Sequence, residues 1–342
     1  MEQNVATKRV FNFSGMFALA LRLVVGWTYF SAFWRRLVLE NKLVEDAPGY
    51  IGEKFNHFLP NALGIKPLIE YLVMTPDVLW WSMVAFTIIE GVVGLLFMLG
   101  YFTRLASIGV IALAGGILLG SGWIGSTCLD EWQIGVLGVA AGFTVFLTGG
   151  GYYSLDRVWM SKTPWFNKRK WYPWIASGEL TVKDNTLKKL TVAGSIAILF
   201  LALFTNQVFH GGVWGKLHNK SVKPKIEIAD ANLQNGRLQF SLSRVEGIDV
   251  YGSFLIGITL QDAEGKEVVN LDMDDLSHFP AENIHNKYIA KVAAGKHSLV
   301  IPLGAKATLD IANDTLTTLP EGVYKLVLTD ISGQTWKADI TK

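Results

Sequence analysis

The 342-residue chain has one cysteine, Cys128, so no disulfide can form within it and cysteine pairing says nothing about the redox compartment. Charge is scarce as well: 18% of residues are Asp, Glu, Lys or Arg, where a soluble chain carries about a quarter. The formal net charge is only +2, which gives no reason to expect a nucleic-acid partner. No CxxC pair and no haem or flavin fingerprint is present, and the glycines of LTGGGYYSLD lack the Lys-Ser/Thr of a phosphate-binding loop. His210 and His218 have no further close ligands in sequence, so they make a poor metal site, and His57 is a lone histidine. No small-x-small site follows the first apolar run, which ends in FWRR, so the N-terminus does not read as a cleavable signal peptide.

Hydrocarbon takes the place of charge. Half of the residues are hydrophobic, with 12 Trp and 19 Phe, and the mean hydropathy is +0.31. Apolar runs at about 16–34, 78–99, 105–123, 132–149 and 190–209 each approach the ~20 residues that a bilayer requires. Beyond His210 the pattern changes to short alternating stretches such as LQFSLSRV and GVYKLVLTDISG, separated by turn signals such as NGR and PEG. The expected fold is an integral membrane α-helical bundle, a four-helix core plus one tethering span, followed by an extracytoplasmic all-β sandwich-like domain. The expected divisions are 1–150 for the four-helix region, 151–189 for a basic cytoplasmic segment, 190–209 for the fifth span and 210–342 for the β-domain.

Basic residues flanking the spans set the orientation. Lys8, Arg9, Arg104 and the cluster from Arg157 to Lys189 fall on one side if the N-terminus is inside. The loop 35–77, the turn around Cys128 and the β-domain then lie outside, in a multi-pass protein of the cytoplasmic (inner) membrane. Arg35 and Arg36 form a basic pair on that outer face, against the bias; an anionic substrate would account for it, and so would scatter in the bias. Trp34, Trp80, Trp81, Trp123 and Trp132 mark the same interface, where indole N–H groups meet water. Gly91, Gly94, Gly115, Gly116, Gly138 and Gly142 allow close helix approach. Lys216, Lys220, Lys223 and Lys225 form a basic collar after the last span.

Two ionisable residues sit well inside apolar runs. Arg22 is twelve residues from Trp34, and Glu90 is twelve from Val78, about 18 Å below the outer boundary in each case. Equal depth predicts that they pair, either as a structural ion pair or as a route for protons or a seat for a polar head group. At the outer turn, GSTCLDEWQIG places Cys128 beside Asp130 and Glu131. If the next helix starts there, Asp130 is an N-cap and Glu131 lies in the first turn, and the helix N-terminus favours a thiolate. The two acids oppose that unless Arg35, Arg36 or Lys54 offsets them; the residues alone leave Cys128 either a reactive group or a buried small hydrophobe.

The stretches ALRLVVGWTYFSAFWRR and IIEGVVGLLFMLGYFTRLAS resemble the DoxX/DoxD membrane family, with an Arg in the first helix and Glu-Gly-x-x-Gly running into Leu-Gly-x-x-Thr-Arg. The turn GSTCLDEWQI is similar to the DoxD branch, and the tail from WGKLHNKSVKP is similar to DoxA, so the whole chain resembles a fused DoxD–DoxA thiosulfate:quinone oxidoreductase. The resemblance implies oxidation of two thiosulfates to tetrathionate, with two electrons passing to a membrane quinone and no metal, haem or flavin. The residues fit that reaction: Cys128 can hold the sulfur intermediate, Asp130 or Glu131 can help relay protons, and Arg35, Arg36 and Lys54 are available cations for the dianion. Trp34, Trp80, Trp81 and Trp132 are candidate walls of a quinone cleft. Arg22 and Glu90 are the candidate buried pair or proton relay. The competing readings are an oxyanion transporter or channel, and a non-catalytic membrane scaffold that docks a redox partner; self-association is left open.

Overall fold

The computed structural model describes residues 2–45, 47, 49–121, 131–163, 169, 171–217, 223–247 and 253–342, with backbone alone at 2–9 and 131. Two compact units emerge, one from Met1–Ile51, Trp80–Leu119 and Glu131–Leu217, the other chiefly from Gly52–Leu79 and His218–Lys342.

The first unit is helical. Helix α1 (Glu2–Phe17) meets α2 (Leu19–Phe33), and α2 continues without a stop as a π-helix over Trp34–Leu39. Then come α3 (Glu53–Phe58) and α4 (Lys66–Met74), which belong to the second unit, and α5 (Pro76–Leu99), α6 (Thr103–Gly120), α7 (Glu131–Thr148), α8 (Leu155–Lys162) and α9 (Asp184–Phe209). Helices α5, α6 and α9 have 24, 18 and 26 residues and are long and apolar enough to cross a bilayer. Val10–Phe17 with Leu19–Leu39 makes a further candidate span bent by 48°, and Trp132–Thr148 is a shorter apolar helix. Large apolar side chains such as Ile88, Val92, Leu95 and Ile108 are exposed on these helices, as hydrocarbon-facing surface must be. This is a membrane protein with a helical N-terminal region. Helix α6 has half of its most apolar stretch buried, against 11% for α9, so α6 is a core helix and α9 is peripheral to the bundle.

Small residues set the helix contacts, since lipid gives helices no hydrophobic reason to associate and packing must do it. A Cβ at Gly94 would meet the Phe30 backbone nitrogen at 2.5 Å and the Gly26 carbonyl at 2.6 Å, so α2 and α5 touch backbone to backbone there. Gly138 and Gly142 on α7 make room for the side chains of Ala114 and Ile111 of α6. Gly115 and Gly116 do not share this role: nothing lies within 4 Å of where their Cβ atoms would be. Helix α5 ends where Gly100 takes φ +62, letting the Tyr101 amide reach back to the Leu96 carbonyl at 3.0 Å.

The second unit holds an all-β domain. Alternating burial along β2 (Arg237–Glu246) and β9 (Val323–Asp330) points Leu238, Phe240, Leu242, Leu326 and Leu328 inward. Strand β1 (Lys225–Gln234) joins β2 through Asn235 and Gly236 at φ 51 and 74, the paired left-handed residues that a two-residue hairpin turn demands. With β3 (Ser253–Gln261), β4 (Glu267–Leu271), β5 (Ile284–Asn286), β6 (Ala293–Ala294), β7 (Leu299–Ile301), β8 (Lys306–Ala312) and β10 (Thr335–Thr341), they form two antiparallel sheets. One runs β1-β2-β8-β5, the other β10-β9-β3-β7-β6 with β4 also paired to β3. Their inner faces share one core of residues such as Leu255, Ile258, Leu299, Ile301 and Leu309.

Candidate functional site

Helix α6 begins with backbone amides that its own turns cannot satisfy. The fully buried carboxylate of Asp156, on α8, supplies the acceptors: Oδ1 takes the Phe102 amide at 2.7 Å, and Oδ2 takes the Thr103 amide at 3.0 Å and its hydroxyl at 2.6 Å. Ser177 Oγ donates to the same carboxylate at 2.7 Å. Two buried guanidiniums lie within its field, Arg22 and Arg104. Arg104 donates to the carbonyls of Phe146 at 2.8 Å, Gly178 at 2.8 Å, Ala176 at 3.3 Å and Pro173. Arg22 donates to Gly150 at 2.5 Å, Met98 at 3.3 Å and Tyr153. Burial, then the Asp156 charge, pushes the nearby Tyr172 phenol up to about 12. The cluster ties the ends of α2, α5, α7 and α8 together through main-chain oxygens.

The predicted Arg22–Glu90 pair is therefore not formed. Glu90, 3% exposed, takes Arg36 instead. The cause is helix register. Because α2 runs on to Leu39, Gly91 lies against Phe33, Gly94 against Phe30 and Gly26 against Met98. Glu90 thus falls level with the π-helical turn, while Arg22 lies beyond Met98. Measuring the depth of Arg22 from Trp34 placed that end of the span too early. Arg36 is consequently a helical residue bound to a buried acid, whereas Arg35 is exposed and donates to its own helix at Ser31 O, 3.3 Å away.

Tyr29 is buried across from the Glu90 charge. Thr87, one turn before Glu90, is fully buried, and its Oγ1 has no hydrogen-bond partner. Sequence reasoning missed Thr87, Thr103, Asp156 and Ser177. The available signal was polar residues at the ends of apolar runs and, for Thr87, a single hydroxyl within one, which is not distinctive.

The indole N–H of Trp80 donates to the Leu43 carbonyl at 2.9 Å, and its ring meets Trp81 edge-on at 4.7 Å. Trp81 and Trp34 are exposed, but Trp132 is 5% exposed with its ring 6.2 Å from His210. Lys54 is exposed on α3, in the other unit. Helix α7 begins at Glu131; Cys128 and Asp130, with the rest of the turn that bears them, lie outside the described residues, as does the Glu131 side chain.

In the second unit, α3 and α4 pack on the β-domain. Asn56, fully buried, donates from Nδ2 to the Gly304 carbonyl at 3.2 Å and accepts the Ala290 amide on Oδ1 at 3.1 Å. Gly304 has φ +74 and abuts the Asn56 carbonyl so closely that no Cβ fits. Tyr288 donates to Glu70 at 2.6 Å and joins Leu59, Ile69 and Val73 in a small apolar cluster.

Fold and side-chain clusters together define a multi-span membrane protein with polar groups buried between its helices and a two-sheet β-domain following them. Residues 17–183 match the family model described as TQO small subunit DoxD, and residues 209–339 match that described as TQO small subunit DoxA. The chain belongs to these thiosulfate:quinone oxidoreductase (TQO) subunit families, fused in one polypeptide.

Proposed function

We propose that the chain oxidises thiosulfate to tetrathionate and passes the two electrons to a membrane quinone. The supporting observation is that both TQO small-subunit families match within one chain, together covering the helical region and the β-domain. In this reading the Cys128 thiolate and one thiosulfate lose two electrons to the quinone, forming Cys–S–S–SO3⁻. The quinone takes up two protons, with Asp130 or Glu131 as carrier, and leaves as quinol. A second thiosulfate attacks the sulfur bonded to the sulfonate, which forms tetrathionate and returns the thiolate, as in thiol–disulfide exchange. Two dianions must approach each other, so a cation has to stand near; exposed Arg35 is of the kind required. The N-terminus is inside, and the Cys128 turn and β-domain face the outside.

The test is reduction of decylubiquinone by the detergent-purified chain on addition of thiosulfate, with tetrathionate measured in parallel. Cys128→Ala abolishes both signals if the scheme holds. Substantial residual turnover in that variant would remove the sulfur adduct, and an inactive wild-type chain would remove the activity itself.

A further inference from the structure

Threonine hydroxyls in these spans have a default use: Thr28, Thr144, Thr191 and Thr205 each donate to the carbonyl one turn back, at 2.9 to 3.0 Å. Thr87 does not. Its side chain is fully buried on the inward stripe of α5, and Oγ1 has no partner. A buried hydroxyl left unmade costs about 1–3 kcal/mol, so such a group in a packed bundle calls for a ligand or a reason.

Three further features lie one turn along the same buried stripe, around Glu90. Glu90, one helical turn on, carries the only carboxylate on α5 beyond the first turn, and it is held by Arg36. Arg36 reaches it from a π-helical turn, a local irregularity that redirects side chains and recurs at binding sites. The Tyr29 ring lies close enough to feel the Glu90 charge. A guanidinium held by a carboxylate one helical turn from an unused hydroxyl, inside an apolar bundle, suits a flat, neutral, membrane-soluble molecule with carbonyl oxygens.

We propose that Thr87 Oγ1 and the Arg36 guanidinium, the latter fixed by Glu90, bind the carbonyl head group of the membrane quinone. This deepens the function proposed above and rests on its choice of acceptor. Thr87 and Arg36 are substrate-binding residues, and Glu90 is the positioning residue that keeps the guanidinium aimed. The quinone tail then runs out between helices into lipid.

The experiment measures decylubiquinone binding to the full chain in lipid nanodiscs, alongside steady-state turnover. Thr87→Val keeps the shape and removes an unpaired hydroxyl, so the fold is retained. The expected result is a Kd for decylubiquinone raised about tenfold, a matching rise in quinone KM, an unchanged thiosulfate KM, and recovery in Thr87→Ser. Wild-type affinity in Thr87→Val, or no binding by the wild-type chain, overturns the proposal. A chain that binds decylubiquinone in a Thr87-dependent way yet draws no electrons from thiosulfate supports the site and sinks the function proposed above.

Discussion

At the scale of residues, Arg22 and Arg104 show how a charge survives in a bundle without a counter-ion in contact. Their N–H groups go to main-chain oxygens at Gly150, Tyr153, Phe146 and Gly178, groups that helix ends leave open in any case. Replacing Arg22 with Met fills similar volume but strands the carbonyls of Gly150, Tyr153 and Met98. We expect a loss of about 3 kcal/mol, read as a lower thermal midpoint of the solubilised chain; an unchanged midpoint would show that those contacts contribute nothing. The charged members of these clusters were visible in the sequence because Arg and Glu inside an apolar run are anomalous. Their partners were not, because a carbonyl acceptor has no residue identity. The Arg22–Glu90 pairing failed for the related reason that equal depth was inferred from a helix end that does not exist.

Elements were easier to read than their ends. Apolar runs of span length marked the long helices, and period-two alternation marked the strands, since both follow from which solvent each face meets. What composition could not show was the continuation of α2 through Trp34–Leu39: charged Arg35 and Arg36 look like a boundary, yet one lies along its own helix and the other is paired. Glycine patterning was half legible. Gly94 and Gly138 do sit at helix contacts, whereas Gly115 and Gly116 face open space, and no sequence rule separates the two cases. The difference gives a paired prediction. Gly94→Val drives a side chain into the Phe30 and Gly26 backbones, so α2 and α5 must separate. The expected cost exceeds the ~1–3 kcal/mol typical of overpacking and shows as loss of folded protein on size-exclusion chromatography. Gly116→Ala leaves the profile unchanged.

On the scale of the whole molecule, residues 35–77 were expected as an outer loop of the membrane region, and the grouping of Gly52–Leu79 with the β-domain was not foreseen. The contacts that bind it, Asn56 to Gly304 and Tyr288 to Glu70, join residues more than two hundred positions apart, beyond any local pattern. Tyr288 gives a pH handle on this joint. Burial first, then the hydrogen bond to Glu70, raises its phenol above the ordinary value near 10. Because the folded value is raised, the stabilisation is complete below pH ~10 and is lost as the pH climbs through the folded value. Hydrogen exchange at α3 and α4 should therefore accelerate in strongly alkaline buffer, and Tyr288→Phe should flatten that dependence. Equal alkaline sensitivity in the variant would assign the loosening elsewhere.

That joint also bears on why two families can occur in one chain. A protease cut in the stretch between the last span and β1 would break one covalent connection and leave the Asn56 and Tyr288 clasp whole. The halves would behave as separate gene products that find each other by surface fit, and gene fusion would then set their ratio and speed their meeting rather than create their grip.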